Sequence, residues 1–205
     1  MLDSELVSGL VSGLIAGYGV AIPIGAIAPL LMSLTARTSL KVGAAAALGV
    51  ATADGVYALI AVLGGASLAR FIEPVALPLR MVAVAILLFI AARIAIAAFK
   101  ETAAQMGDAF GTPIRAYTGL LGLTLLNPTT ILYFGALVLG WQASGTSTGA
   151  PWVVGVFVAS SSWQLLLAGG GALIGRSLNT PRGRLWTSLT SSVMIAILAL
   201  AVIVG

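Results

Sequence analysis

Apolar residues fall along this chain in six blocks, at about 6–34, 42–68, 79–99, 116–140, 152–174 and 185–204, with short polar links between them. A bilayer span needs about 20 mostly apolar residues, and each block has that length. The blocks lack the strict polar/apolar alternation of a barrel strand. Lipid offers no partners to open backbone groups, which leaves helix as the expected conformation. The pattern predicts an all-α polytopic membrane protein of about six transmembrane helices, forming a single transmembrane domain over residues 1–205.

The links carry most of the charge. Arg37 and Lys41 lie between spans one and two, and Arg70, Glu73, Pro74, Pro78 and Arg80 between two and three. Residues 100–115 form the longest polar segment. Residues 141–151 are uncharged and rich in Ser, Thr and Gly, and Arg176, Arg182 and Arg184 bracket the last link. Odd-numbered links hold seven Lys/Arg residues against two in even-numbered links. Lys and Arg mark the cytoplasmic side, so both termini are expected outside. Three spans per half would make the second half enter the membrane from the opposite side. This predicts a 3+3 inverted repeat, with a first repeat at about 6–99, a connecting loop at about 100–115 and a second repeat at about 116–205. Spans one and four are the expected broken helices. Aligning Gly49–Tyr57 of span two with Gly155–Trp163 of span five sets Asp54 against Ser160 and Tyr57 against Trp163.

Composition strengthens the membrane reading. Charged residues make up 8% of 205 and apolar residues 60%, against about 25% charged in soluble domains. The sixty residues from Ala116 to Gly175 contain no Asp, Glu, Lys or Arg. The net charge of +4 comes from basic residues scattered among the links, which reads as topology rather than a nucleic-acid face. With neither Cys nor His, the chain has no disulfides, thiol redox chemistry, Cys/His zinc sites or His base. Asp3 and Glu5 precede the first apolar block where a signal peptide would be positive, so no cleaved signal is expected. No phosphate-binding glycine motif is present, and no cofactor is expected.

Asp54 is the sharpest candidate for chemistry. Twelve uncharged residues precede it and fifteen follow it. A carboxylate at mid-bilayer costs about 2.5–3.5 kcal/mol on insertion scales, so such groups face a cavity or a partner. Loss of water favours the neutral acid, which points to proton uptake near neutral pH or to a counter-ion for an amino group. A packing carboxylate paired with Arg93 is the structural alternative. Arg93 lies seven residues before Lys100, about 10 Å along a helix, and snorkelling to the interface is the preferred account of it. Pro23, Gly25 and Pro29 open span one, and Asn127-Pro128 opens span four, each freeing backbone groups at depth. Paired breaks in matching positions mark a transporter site, although proline kinks also shape packing alone. Tyr57, Tyr133, Trp163 and Gln164 put polar groups at depth, where they line a pocket or serve packing. Gly9, Gly13 and Gly17 form a small-residue ridge for helix packing, or for the face of a homodimer. Asp54-Gly55-Val-Tyr-Ala58 looks like the start of a CDP-alcohol phosphotransferase motif. Leu59 replaces its arginine, however, and no second carboxylate pair follows to hold Mg²⁺.

These motifs resemble the LysE/RhtB-type amino-acid exporter family. Gly17-Tyr-Gly-Val-Ala-Ile-Pro-Ile-Gly25 is similar to its first helix, Gly43 through Gly65 with Asp54 to its second, and Leu126-Asn127-Pro128 to the motif opening its second half. Ala26 and Ala28 stand where many members have another proline, and Leu87–Arg93 lacks the common aromatic/Gly pattern. The resemblance implies a non-enzymatic secondary exporter in the bacterial inner membrane, moving amino acids or related small solutes, with Pro23, Gly25, Asp54, Asn127 and Pro128 as pathway residues. Metal-cation efflux and a non-transporting assembly or scaffold subunit are the alternatives. A membrane enzyme is the weakest, without His, Cys or a carboxylate cluster.

Overall fold

The computed structural model describes residues 2–22, 27–99, 110–127, 130, 133–134, 137–138, 148–177, 186, 189–190 and 192–197. The protein is an all-α membrane protein, and among the described residues every regular element is helical. Five helices have described bounds: α1 Leu2–Ala21, α2 Ile27–Arg37, α3 Leu40–Phe99, α4 Pro113–Leu125 and α5 Ala150–Ser177. Residues 130, 133–134, 137–138, 186, 189–190 and 192–197 contribute further helical positions. Leu40–Gly64 and Ala150–Ile174 are long and apolar enough to cross a membrane, while Glu5–Ala21 and Ile27–Arg37 are shorter apolar helices.

The first block is two helices in place of one, with the helical pattern lost after Ala21 and resumed at Ile27. Pro29, expected to interrupt the span, instead sits in the first turn of α2, where a missing N–H costs nothing. The second and third blocks differ from expectation too. A link was expected around 70–80, yet α3 is assigned as one helix of 60 residues. Straight, it would reach about 90 Å, and Val42 would stand about 63 Å from Val84. Both residues belong to one core cluster, together with Val50, Leu87 and Ala91. Helix α3 therefore bends back between these stretches. Pro74 and Pro78 supply the release, since each removes a backbone donor and collides with the preceding turn. Helix α4 starts in a regular way: Thr112 caps it, accepting from the Arg115 N–H, and Pro113 takes the first position.

Glycine sets the helix contacts. A Cβ on Gly155 of α5 would stand 2.5 Å from the Leu10 carbonyl of α1, and one on Gly13 would enter the Trp152 backbone. Gly17 meets Val156 and Ala159 in the same way. The ridge Gly9–Gly13–Gly17 is thus buried against α5 of the same chain, so it is not a free face for a second copy. Further along α5, a Cβ on Gly171 would stand 2.5 Å from the Met32 carbonyl, which seats α2. One helix, α5, consequently carries both halves of the broken first block, while α3 packs on α4 through Gly49 and the Tyr117 backbone. Leu63, Phe89, Leu166 and Leu173 are each more than 60% exposed, a surface suited to acyl chains and not to water.

The apolar core forms two clusters. One holds Leu30, Leu34, Val50, Leu123 and Ala168. The other holds Ala16, Tyr57, Phe134, Trp152 and Val156. Helices α3, α4 and α5 contribute to both, whereas α2 contributes to the first and α1 to the second. Between them lie Asp54 on α3, Ser160 and Gln164 on α5, the interruption between α1 and α2, and the end of α4. The last turn of α1 meets this level through Tyr18 and Ser162, and the end of α4 through Leu125 and Tyr57.

Candidate functional site

Asp54 is 4% exposed, and its Oδ2 accepts a 2.6 Å hydrogen bond from the Ser160 hydroxyl on α5. The two residues aligned as counterparts in the two halves are therefore in direct contact. Sequence reasoning missed Ser160 as a site residue, although Ser160-Ser161-Ser162 in an otherwise apolar helix was a readable signal. On a helix with 3.6 residues per turn, Gln164 lies one turn beyond Ser160 and within the arc between Ser160 and Ser161. Gln164 is 6% exposed, yet its Oε1 is buried with no hydrogen-bond partner. The Ser161 hydroxyl is likewise buried and unpartnered. An unmade bond in a dry interior is costly, because the group has given up water without replacement. A carboxyl, a carboxamide oxygen and a hydroxyl in one arc make an acceptor-rich surface suited to a proton or an ammonium group.

Tyr57, one turn after Asp54, connects α3 to the broken fourth block. Its hydroxyl donates to the Leu125 carbonyl at 2.5 Å, with the Thr124 carbonyl at 3.4 Å. The cause lies in the sequence. The carbonyl of Thr124 would accept from residue 128 in a continuing helix, and Pro128 has no N–H. Leu126 N–H still makes the regular bond to Gly122, and the chain then tightens, with Asn127 N–H donating to Thr124 three residues back. The Leu125 carbonyl is left for Tyr57. The Tyr117 hydroxyl donates to Thr52 at 3.1 Å, a second tie between α4 and α3. On the other side, Tyr18 in the last turn of α1 shares a 2.7 Å hydrogen bond with Ser162 of α5, beside the first break.

The remaining candidates divide. Asn127 sits at the end of α4 in non-helical backbone. Trp163 is half-buried on α5. Tyr133 does not join the polar level: it is 59% exposed, whereas its neighbour Phe134 is fully buried and packs edge-on against Trp152, 6.2 Å between ring centres. Adjacent helical residues point about 100° apart, so burying Phe134 turns Tyr133 outward. Pro23, Gly25 and Pro128 and the Arg93 side chain lie outside the described residues.

Compared with known families, residues 19–205 match the family model described as LysE type translocator. No curated protein and no solved structure matches the chain.

Proposed function

The chain belongs to the LysE type translocator family, whose members are membrane exporters of small solutes, and from that premise we propose that it moves amino acids or related solutes out of the bacterial cytoplasm in exchange for protons. The polar level between two apolar clusters is the observation that carries this reading. A solute held among Asp54, Ser160, Ser161 and Gln164 would have one apolar plug on each side, Leu30, Leu34, Leu123 and Ala168 in one and Ala16, Phe134, Trp152 and Val156 in the other. Both helix breaks flank that level, as in transporters whose sites lie at the midplane between repeats. Parting one plug while the other stays packed gives access from one side at a time.

In this scheme the two halves are inverted repeats of about 6–99 and 116–205, with both termini outside. Span two leans on the broken fourth block and span five on the broken first. Asp54 and Ser160 meet between them, and the carboxyl holds a proton in one state and balances an ammonium group in the other. Among the described residues no three Asp, Glu, His or Cys side chains gather, so the metal-cation alternative gains no ligand set.

The test is efflux of preloaded radiolabelled amino acids from proteoliposomes, comparing wild type with Asp54→Asn. The reading expects transport that depends on pH in wild type and is lost or pH-independent in the variant. Equal pH-dependent efflux from both would remove Asp54 from the mechanism.

A further inference from the structure

A hydroxyl inside an apolar helix has a default partner, the carbonyl one turn back. In this chain Thr35, Thr38, Thr52, Thr118 and Thr124 all donate to the carbonyl four residues earlier, at 2.7–2.9 Å. Ser12, Ser162 and Ser192 use the carbonyl three residues earlier. Ser33 on α2 uses neither. It is 1% exposed, and its hydroxyl has no hydrogen-bond partner. Arg37 follows one turn later on the same face and ends α2. Its Nη2 is also buried and unpartnered. Among the described residues no carboxylate pairs with this guanidinium. On α3, which packs against α2, the buried carboxyl of Asp54 is held by Ser160 of α5. Buried charges in proteins are paired as a rule, and two orphan donors one turn apart are not explained by packing.

We infer that Ser33 and Arg37 form an oxyanion subsite on the second half of the broken first block, and that its occupant is the carboxylate of the transported solute. The guanidinium presents parallel N–H donors that match the two oxygens of a carboxylate, and the Ser33 hydroxyl adds a further donor. A lipid phosphate shares this chemistry. Ser33, however, sits among Leu30, Leu31 and Leu34, all at most 1% exposed, inside the bundle and away from the lipid-facing surface. The inference rests on the exporter reading and adds a second recognition point, separate from the first: Gly43 meets Thr35 and lies eleven residues, about 16 Å, from Asp54 along α3, so this subsite takes the solute's carboxylate at another station of the path.

The experiment follows thermal unfolding of purified protein in detergent, in acetate or inorganic phosphate against chloride at equal ionic strength. An anion at ten times its Kd favours the folded state about elevenfold. The wild-type midpoint should rise in acetate and phosphate over chloride. Arg37→Met should abolish the rise, Ser33→Ala should weaken it, and Arg37→Lys should keep part of it. If Arg37→Met does not fold, Ser33→Ala and Arg37→Lys carry the comparison. An identical anion response in wild type and variants overturns the subsite. A response to phosphatidylglycerol vesicles with none to acetate overturns the cargo assignment and gives the site to lipid. Because no transport is measured, failure of the exporter reading leaves this result readable.

Discussion

Replacing Tyr57 with Phe removes one oxygen atom and keeps the ring in its cluster with Phe134 and Trp152. The carbonyl of Leu125 then loses the donor 2.5 Å away. Two magnitudes bracket the effect. Interhelical hydrogen bonds measured in a membrane protein average about 0.6 kcal/mol and reach about 1.7. A buried acceptor left without any partner costs about 1–3 kcal/mol. Tyr57 is 6% exposed, and Leu125 is the last residue of α4, where Pro128 interrupts the helical ladder. The orphan cost should therefore dominate, giving a loss of about 1–2 kcal/mol. The mechanism makes a second demand. Pro128→Ala restores an N–H and lets the helix continue, so residues 128 and 129 can serve the carbonyls of Thr124 and Leu125. In that background Tyr57→Phe should cost less than about 0.5 kcal/mol, a level of non-additivity expected for residues sharing one network. The assay is reversible unfolding in mixed micelles of the four proteins of the cycle. An equal cost of Tyr57→Phe in both backgrounds would refute the claim that Tyr57 serves the broken helix.

Other perturbations separate the site from its scaffold. Ser160→Ala leaves the Asp54 carboxyl without its 2.6 Å donor, so proteoliposome efflux should shift in pH dependence while expression and folding persist; an unchanged pH profile would count against the pair. Gln164→Met removes an unpartnered buried oxygen, so thermal stability should hold or rise while efflux of amine-bearing solutes falls at least about tenfold, the equivalent of one charge-assisted hydrogen bond of about 1.4 kcal/mol. Unaltered efflux would make Gln164 a packing residue. Gly13→Leu forces a side chain into the Trp152 backbone, and overpacking of this kind costs about 1–3 kcal/mol or more, read as a lower thermal midpoint; Gly19→Leu, on the same helix with open space, is the matched control.

The described helices, the lipid-facing surface and the burial of Asp54 were legible in the sequence, because charge depletion leaves a long apolar chain no other conformation. The alignment of Asp54 with Ser160 was also legible as a pattern, but not as a bond. A sequence gives a residue its level in the membrane and leaves open its rotation about the helix axis. Rotation sent Tyr133 outward and Phe134 inward, and it turned the Gly9–Gly17 ridge onto α5 rather than toward a second copy. Local rules also mislead where a neighbour supplies what they count as missing. Pro29 reads as a break until it falls in the first turn of α2, and Pro74 with Pro78 reads as a link until α3 runs through them.

The chain by itself thus determined what lies in the membrane and where its backbone is weak, since both follow from side-chain transfer and from the missing proline N–H. Only the tertiary structure decided which groups found partners. Tyr57 satisfies the carbonyl at the Pro128 break, and Ser160 satisfies Asp54. Gln164, Ser161, Ser33 and Arg37 each remain with an unanswered polar atom. Satisfaction is a property of three-dimensional neighbours, which no single segment of sequence specifies.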